Sequence, residues 1–307
     1  MTTEASTCDQ STCGSCADSS CSASTRENNE SDAEFLERKK LQFNLNRIRH
    51  IVVVMSGKGG VGKSTVAVNI AVALKMLGKR VGLLDVDIHG PSIPTMLGLE
   101  GKTLTGSRAG LLPFDMDGMK VMSIGFLLSK MDEAVIWRGP MKMTVIKQFL
   151  QDVEWGELDY LIIDSPPGTG DEPLSIFQLI SKLDGAVIVT TPQKVAAVDV
   201  RKSINFCQQL KVPVLGVVEN MSGFVCPKCG EITPILKSGG GRTMAADMNV
   251  PFLGSIPMDP QIAEACDNGT AFVDQFAASP TAALMREIIQ PIAALDKAFH
   301  CGGYVAS

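Results

Sequence analysis

No uninterrupted apolar run in these 307 residues approaches the roughly 18–20 that a membrane-spanning helix needs. The N-terminus has neither a basic n-region nor an apolar h-region, so it does not read as a secretory signal. No basic tract is present and the formal net charge is −5, which argues against non-specific attraction to nucleic acid. No internal repeat is visible. What is left is an ordinary globular composition, 45% hydrophobic and 20% charged, long enough for one large α/β domain or two small ones. The expected compartment is cytoplasmic, with neither nucleic acid nor membrane as a partner. Thiols stay reduced there, so nine cysteines point to metal chemistry more than to disulfides.

The most informative stretch that is present is Gly57-Lys58-Gly59-Gly60-Val61-Gly62-Lys63-Ser64-Thr65. It follows an apolar strand pattern, Ile51 to Met55, and precedes a helical one, Val66–Leu77. Gly57, Gly62, Lys63 and Ser64 fit the G-x-x-x-x-G-K-[ST] spacing of a phosphate loop. Glycines let backbone N–H groups approach phosphate oxygens, and the helix N-terminus adds partial positive charge. Lys63 is expected to reach the β- and γ-phosphates of ATP, and the Ser64 hydroxyl to ligate Mg²⁺.

The chain around this loop divides into four parts. Residues 1–34 are a low-complexity, Cys/Ser-rich tail with too few large apolar side chains to build a core. A charged helical lead-in follows over 35–48, its helical pattern running from Ala33 to Asn46. An ATPase domain spans 49–299, and a short tail, 300–307, ends the chain. Within the domain, apolar runs at Val81–Asp85, Met119–Ile124, Tyr160–Asp164, Ala186–Thr190, Val214–Val218 and Phe252–Ile256 read as strands. Helical patterns fall between most of them, and Thr281–Phe299 closes the series. Strand–helix alternation with continuous apolar strands predicts an α/β P-loop NTPase fold, a mostly parallel sheet with helices on both faces. The site then lies at the carboxyl ends of the strands.

Lys58, one residue after the first glycine of the loop, marks the deviant form of the motif. Here the chain resembles the MinD/ParA/nitrogenase-iron-protein class of nucleotide-switched ATPases. The resemblance implies a homodimer, with Lys58 reaching across to the partner's nucleotide. Asp85 and Asp87 end a strand at alternate positions; the resemblance makes this the first switch, with Asp87 activating the attacking water and Asp85 supporting Mg²⁺. Asp164 ends another apolar strand and is the second Mg²⁺-side carboxylate expected of such folds. Ser165-Pro166-Pro167-Gly168-Thr169-Gly170-Asp171 follows as the second switch. Asn220, just past the Val214–Val218 strand, is the candidate reader of adenine, with Pro257 and Met258 as weaker contributors to the same pocket.

Cys226-Pro227-Lys228-Cys229 is a C-x-x-C knuckle, and no second C-x-x-C lies within zinc-ribbon distance in the domain. Two thiolates are half of a tetrahedral metal site or of a four-iron cluster. A symmetric dimer would supply four. Taken in order, the phosphate loop, Asp-Val-Asp-Ile-His-Gly-Pro-Ser at 85–92, Asp-Ser-Pro-Pro-Gly-Thr-Gly-Asp at 164–171, Thr-Thr-Pro-Gln at 190–193 and the knuckle resemble the Mrp-type P-loop ATPases, the iron–sulfur cluster carriers. The resemblance spans about residues 40–298. It implies an ATP-hydrolysing scaffold that holds a 4Fe–4S cluster between subunits and passes it to apo iron–sulfur proteins. A structural zinc knuckle is the competing reading of Cys226 and Cys229. Cys8, Cys13, Cys16 and Cys21 form a candidate second cluster site in the tail, against zinc or an unliganded redox-active tail. Cys207 and Cys266 read as packing residues. Cys301 reads as frayed or an accessory ligand, and His89 as a loop histidine. Two other functions fit the class: an ATP-gated electron-transfer protein like nitrogenase iron protein, and a MinD- or ParA-like positioning ATPase.

Overall fold

The computed structural model of the chain describes residues 30–88, 90–108, 110–127 and 139–296. The tail cysteines Cys8, Cys13, Cys16 and Cys21, together with His89 and Cys301, lie outside them.

Four apolar runs make the centre of the sheet: β1 (Ile48–Ser56), β2 (Val81–Asp85), β7 (Leu158–Asp164) and β8 (Gly185–Thr190). Nearly every residue in them is buried, so neither face of these strands meets water. That is why the runs are continuously apolar instead of alternating. β1 lies between β7 and β8 with parallel register, pairing Val54 with Asp164 and with Val187. β2 lies between β7 and β6 (Met119–Ser123), and Asp85 pairs with both Asp164 and Ser123. Beyond β8 come β9 (Val214–Val225) and, parallel to it, β11 (Phe252–Met258). Short antiparallel strands finish the sheet: β5 (Phe114–Met116) on β6 and β10 (Ile232–Thr233) on β9. A separate hairpin joins β3 (Thr105–Gly106) to β4 (Leu111–Leu112). The path across the main sheet is β10-β9-β8-β1-β7-β2-β6-β5, with β11 on β9.

The central helix, α2 (Lys63–Met76), buries ten of its residues and lies along β1, β2 and β7. Beside it pack α9 (Phe272–Gln275) and α10 (Pro280–Ala293). A second group joins α1 (Asp32–Asn46), α4 (Gly139–Asp152) and α5 (Asp171–Leu179). A third, α6 (Lys194–Gln209) and α7 (Gly240–Asp247), covers β8 and β9. The short α3 (Ile93–Met96) touches α8 (Pro260–Asp267). The lead-in helix α1 begins with a capping box between Ser31 and Glu34 and buries Leu41 and Leu45. It is tied to α4 by ion pairs of Lys40 with Asp152 and of Glu37 with Lys147. Among the described residues no helix is long and apolar enough to cross a membrane.

Three boundaries differ from the sequence reading. β9 does not stop at Val218 but continues to Val225, so Glu219 and Asn220 are strand residues and not turn residues. Pairing explains this: β8 reaches Glu219, and β11 holds Asn220 opposite Ile256. Pro257 and Met258 are the last residues of β11 and do not follow it. The missing N–H of Pro257 is tolerated because β11 pairs with β9 alone, at a register shift between Ile256 and Met258. Finally, α10 ends at Ala293 with a turn at Ala294, while the rest of the helix expected to Phe299 runs into residues 297–299, outside the described ones.

Candidate functional site

The phosphate loop leaves β1 at Ser56, whose hydroxyl donates to the Lys58 carbonyl at 2.9 Å. Gly60 and Gly62 take left-handed conformations, φ +77° and +81°, and Lys63 opens α2. Gly57 and Gly62 are required by close approach as well. A Cβ on Gly57 would lie 2.4 Å from the Asp199 backbone of α6, and one on Gly62 would lie 2.2 Å from the Asn220 amide nitrogen. Val61 is buried, and its carbonyl accepts from Asn220 Nδ2 at 2.9 Å. The loop faces a cavity of about 240 Å³, lined also by Ser64, Thr65 and Asp87 and by Pro167 of the second switch. Lys58 is half-buried, and its ammonium makes no ion pair among the described residues.

Three carboxylates gather at the strand ends around Lys63. Its ammonium is 2.6 Å from Asp164 Oδ1 and 3.5 Å from Asp87 Oδ2, and it donates to Ser64 Oγ at 3.4 Å. Asp85 is fully buried; one oxygen accepts from Ser123 Oγ at 2.8 Å and the other from the Asp87 backbone N–H at 3.1 Å. Burial, and next the charge of Asp164, push its carboxyl up to about 8. Burial raises Asp164 too, opposed by the Lys63 ammonium. Asp87 Oδ1 and Asp164 Oδ2 are buried with no hydrogen-bond partner among the described residues. Hard oxygens with unshared lone pairs, next to the Ser64 hydroxyl, fit the requirements of Mg²⁺. The second switch is tied back to the loop strand: Ser165 N–H donates to the Val54 carbonyl at 3.1 Å and Gly168 N–H to the Ser56 carbonyl at 2.7 Å.

Farther along β9, Met221 stands at φ +58°, and the strand stays paired with β11 and β10 through Phe224 and Val225. It ends in the knuckle. Gly230 N–H donates to the Cys226 carbonyl at 2.8 Å and Cys226 N–H to the Glu231 carbonyl at 2.9 Å. The backbone N–H groups of Cys229 and Lys228 hold the Cys226 thiol below its ordinary value, favouring the thiolate that binds metals. No third His, Cys, Asp or Glu joins Cys226 and Cys229 in a metal-holding group among the described residues. The knuckle therefore supplies two sulfurs and no further donor from its own described chain. Exposed Ile232 and Ile235 lie beside it. Cys207 is a core residue, its sulfur 3.5 Å from Met55 Sδ, and burial pushes its thiol up to about 12. Cys266 is half-buried and its thiol is raised, again by burial.

The phosphate loop, the paired switch carboxylates and the lone cysteine pair occur together on one sheet. The family described as NUBPL iron-transfer P-loop NTPase, of ParA type, matches residues 47–293. The chain belongs to this family. Relatives include the iron-sulfur cluster carrier protein of Methanocaldococcus jannaschii, 54% identical over 76% of this chain and 81% of that protein. Human cytosolic Fe-S cluster assembly factor NUBP2 is 49% identical over 81% of this chain and 94% of that one. Among solved structures, the Archaeoglobus fulgidus nucleotide-binding protein in complex with ADP is 44% identical, with a TM-score of 0.68 over 76% of this chain and 92% of that one. Pyrococcus furiosus cell division ATPase MinD, at 24% identity and a TM-score of 0.57 over 80% of this chain and 99% of that one, shares the fold. The site is thus that of a P-loop ATPase of this family.

Sequence reasoning missed two members of the site and one residue outside it. Ser123 is signalled only by ending a strand that comes to lie beside Asp85. Asp199, whose backbone demands Gly57, carries no signal at all. The third, Glu219, read only as an acid following the Val214–Val218 strand; that it lies inside β9, and what it contacts, required the fold.

Proposed function

We propose that this chain is an ATP-hydrolysing iron–sulfur cluster carrier that assembles a 4Fe–4S cluster across a homodimer and transfers it to apo-proteins. The observation that carries this is the half-site: two cysteines separated by two residues, with no third donor among the described residues, on a P-loop ATPase. Two copies related by a two-fold axis would complete four sulfur ligands. The relatives named as a cluster carrier and as cytosolic assembly factors support both the cargo and a cytosolic location.

On this reading the loop N–H groups and the α2 N-terminus bind the phosphates of ATP. Lys63, held between Asp164 and Asp87, is the cation that follows the γ-phosphate. Asp87 orients the attacking water, and Asn220 offers its remaining amide atoms to the base while one N–H stays on Val61. Lys58 extends toward the partner's nucleotide. Mg²⁺ would be held by Ser64, with Asp85 and Asp164 behind it, and would offset phosphate charge. The cluster is cargo, gripped by Cys226 and Cys229.

Anaerobic reconstitution with iron and sulfide tests this. The expected result is about four irons per dimer, in keeping with a single shared cubane. The knuckle-bound iron should be lost in Cys226→Ala and Cys229→Ala with the circular dichroism unchanged. Bound zinc without iron–sulfur absorption would refute the carrier reading and return the knuckle to a structural role.

A further inference from the structure

Glu219 is fully buried, yet it belongs to neither the phosphate site nor the knuckle. Its carboxylate gathers partners from both ends of one long loop. Oε1 accepts from Ser222 Oγ at 2.6 Å and from Gly239 N–H at 2.9 Å, and Oε2 accepts from Gly241 N–H at 2.5 Å. Gly239 is the N-cap of α7, a glycine at φ +82° with no side chain to cap the helix. Glu219 does that work from another strand, and its negative charge suits a helix N-terminus. The close fit leaves no room for alternatives: a Cβ on Gly241 would lie 3.1 Å from the Glu219 carboxylate, and one on Gly240 would lie 2.4 Å from the Pro192 carbonyl. The segment 219–241, which carries Cys226 and Cys229, is thereby closed at its base by one side chain.

The next residue on the strand faces the phosphate loop. Asn220 donates to the Val61 carbonyl of the phosphate loop and touches Gly62. Successive strand residues point to opposite faces. Any shift of the phosphate loop that moves Asn220 must therefore also move Glu219, and with it both ends of the cysteine loop. We propose that Glu219 is a positioning residue that couples the phosphate loop to the cysteine knuckle, so that the nucleotide state sets how Cys226 and Cys229 are presented. This rests on the carrier reading only in making the two cysteines the functional output.

The test uses the full-length, metal-free protein, so it does not depend on which metal the knuckle takes. Cys226 and Cys229 are alkylated with iodoacetamide and quantified by mass spectrometry, with and without Mg-ATP, in wild type and Glu219→Gln. Nucleotide affinity and dimerisation are measured alongside. In wild type, Mg-ATP should change the alkylation rate by at least about fivefold, the lower end of ordinary allosteric coupling. In Glu219→Gln the nucleotide should bind as before and dimerise the chain as before, while the rate change falls below about twofold. Ser222→Ala, which removes one donor and leaves the carboxylate in place, should give an intermediate response and serves if Glu219→Gln does not fold. Full nucleotide sensitivity in the folded variant, or insensitive thiols in wild type, overturns the coupling. Neither result touches the carrier reading, which reconstitution decides separately.

Discussion

Asp87 and Gly62 are the residues where the site can be tested most sharply. Asp87 sits 3.5 Å from Lys63 with one carboxylate oxygen buried and unpartnered among the described residues, and the proposal assigns that oxygen to the attacking water. Asp87→Asn should cut kcat for ATP hydrolysis by about 100-fold or more, with nucleotide affinity nearly unchanged; an equal loss in both would make it a binding residue. Gly60 and Gly62 separate backbone strain from close approach. Both have positive φ, but only Gly62 has a neighbour within reach of a Cβ. Gly60→Ala should cost about 1 kcal/mol, whereas Gly62→Ala should also push Asn220 off Val61 and abolish nucleotide binding. Urea unfolding and titration with a fluorescent ATP analogue would distinguish them. The spacing of the loop was legible without the fold, because phosphate binding needs those residue types in sequence order. That Asn220 is the side chain demanding Gly62 was not, since Asn220 reaches the loop, at the Val61 carbonyl, across 159 residues.

Among the elements, β9 and the end of α10 hold the most structural information. The sequence marked β9 only as far as its β-branched run, because Glu219 and Asn220 break the apolar pattern. The strand continues since each polar group is satisfied there: Glu219 by loop N–H groups and Asn220 by the phosphate loop. At the opposite end of the sheet, the chain after α10 is fastened by Asp296. It pairs with Lys79 and accepts from Arg49 Nη1 at 2.7 Å, and its carboxylate lies 3.8 Å from the buried His50 ring. Those hydrogen bonds, Lys79 first and then Arg49, hold its carboxyl at about 2, down from its ordinary 3.8. A depressed carboxyl stabilises the fold above its unfolded value, and that stability is lost as pH falls through the folded value. Asp296→Asn should therefore cost about 1–2 kcal/mol at neutral pH, discounted for its partly exposed partners, and the gap from wild type should close between about pH 4 and pH 2. Urea titrations across that range give the readout; a gap independent of pH would assign the loss to packing.

At the scale of the whole molecule, the chain joins a P-loop ATPase fold to a cysteine pair, which the proposal reads as half of a metal site. The carboxylates sit at the carboxyl ends of parallel strands, where this class of sheet places its ligands. The knuckle follows the end of β9 in the same sheet, where β9 pairs with β10. Dimerisation joins the two functions in the proposal. If a cluster bridges two copies, the reconstituted protein should elute as a dimer in the absence of nucleotide and revert on chelation, while Cys226→Ala stays insensitive to iron.

By itself the sequence determined the fold class, the phosphate loop, the switch carboxylates and the cysteine pair. These depend on residue types at short spacing: continuous apolar runs for buried strands, glycines for phosphate contact, thiols two residues apart. Only the tertiary structure decided which distant groups share a site. Ser123 satisfies Asp85 because β2 and β6 come level in register, and Glu219 meets the N-terminus of α7 because that helix packs on β9. Register is set by packing of the whole sheet, and no local stretch of sequence encodes it.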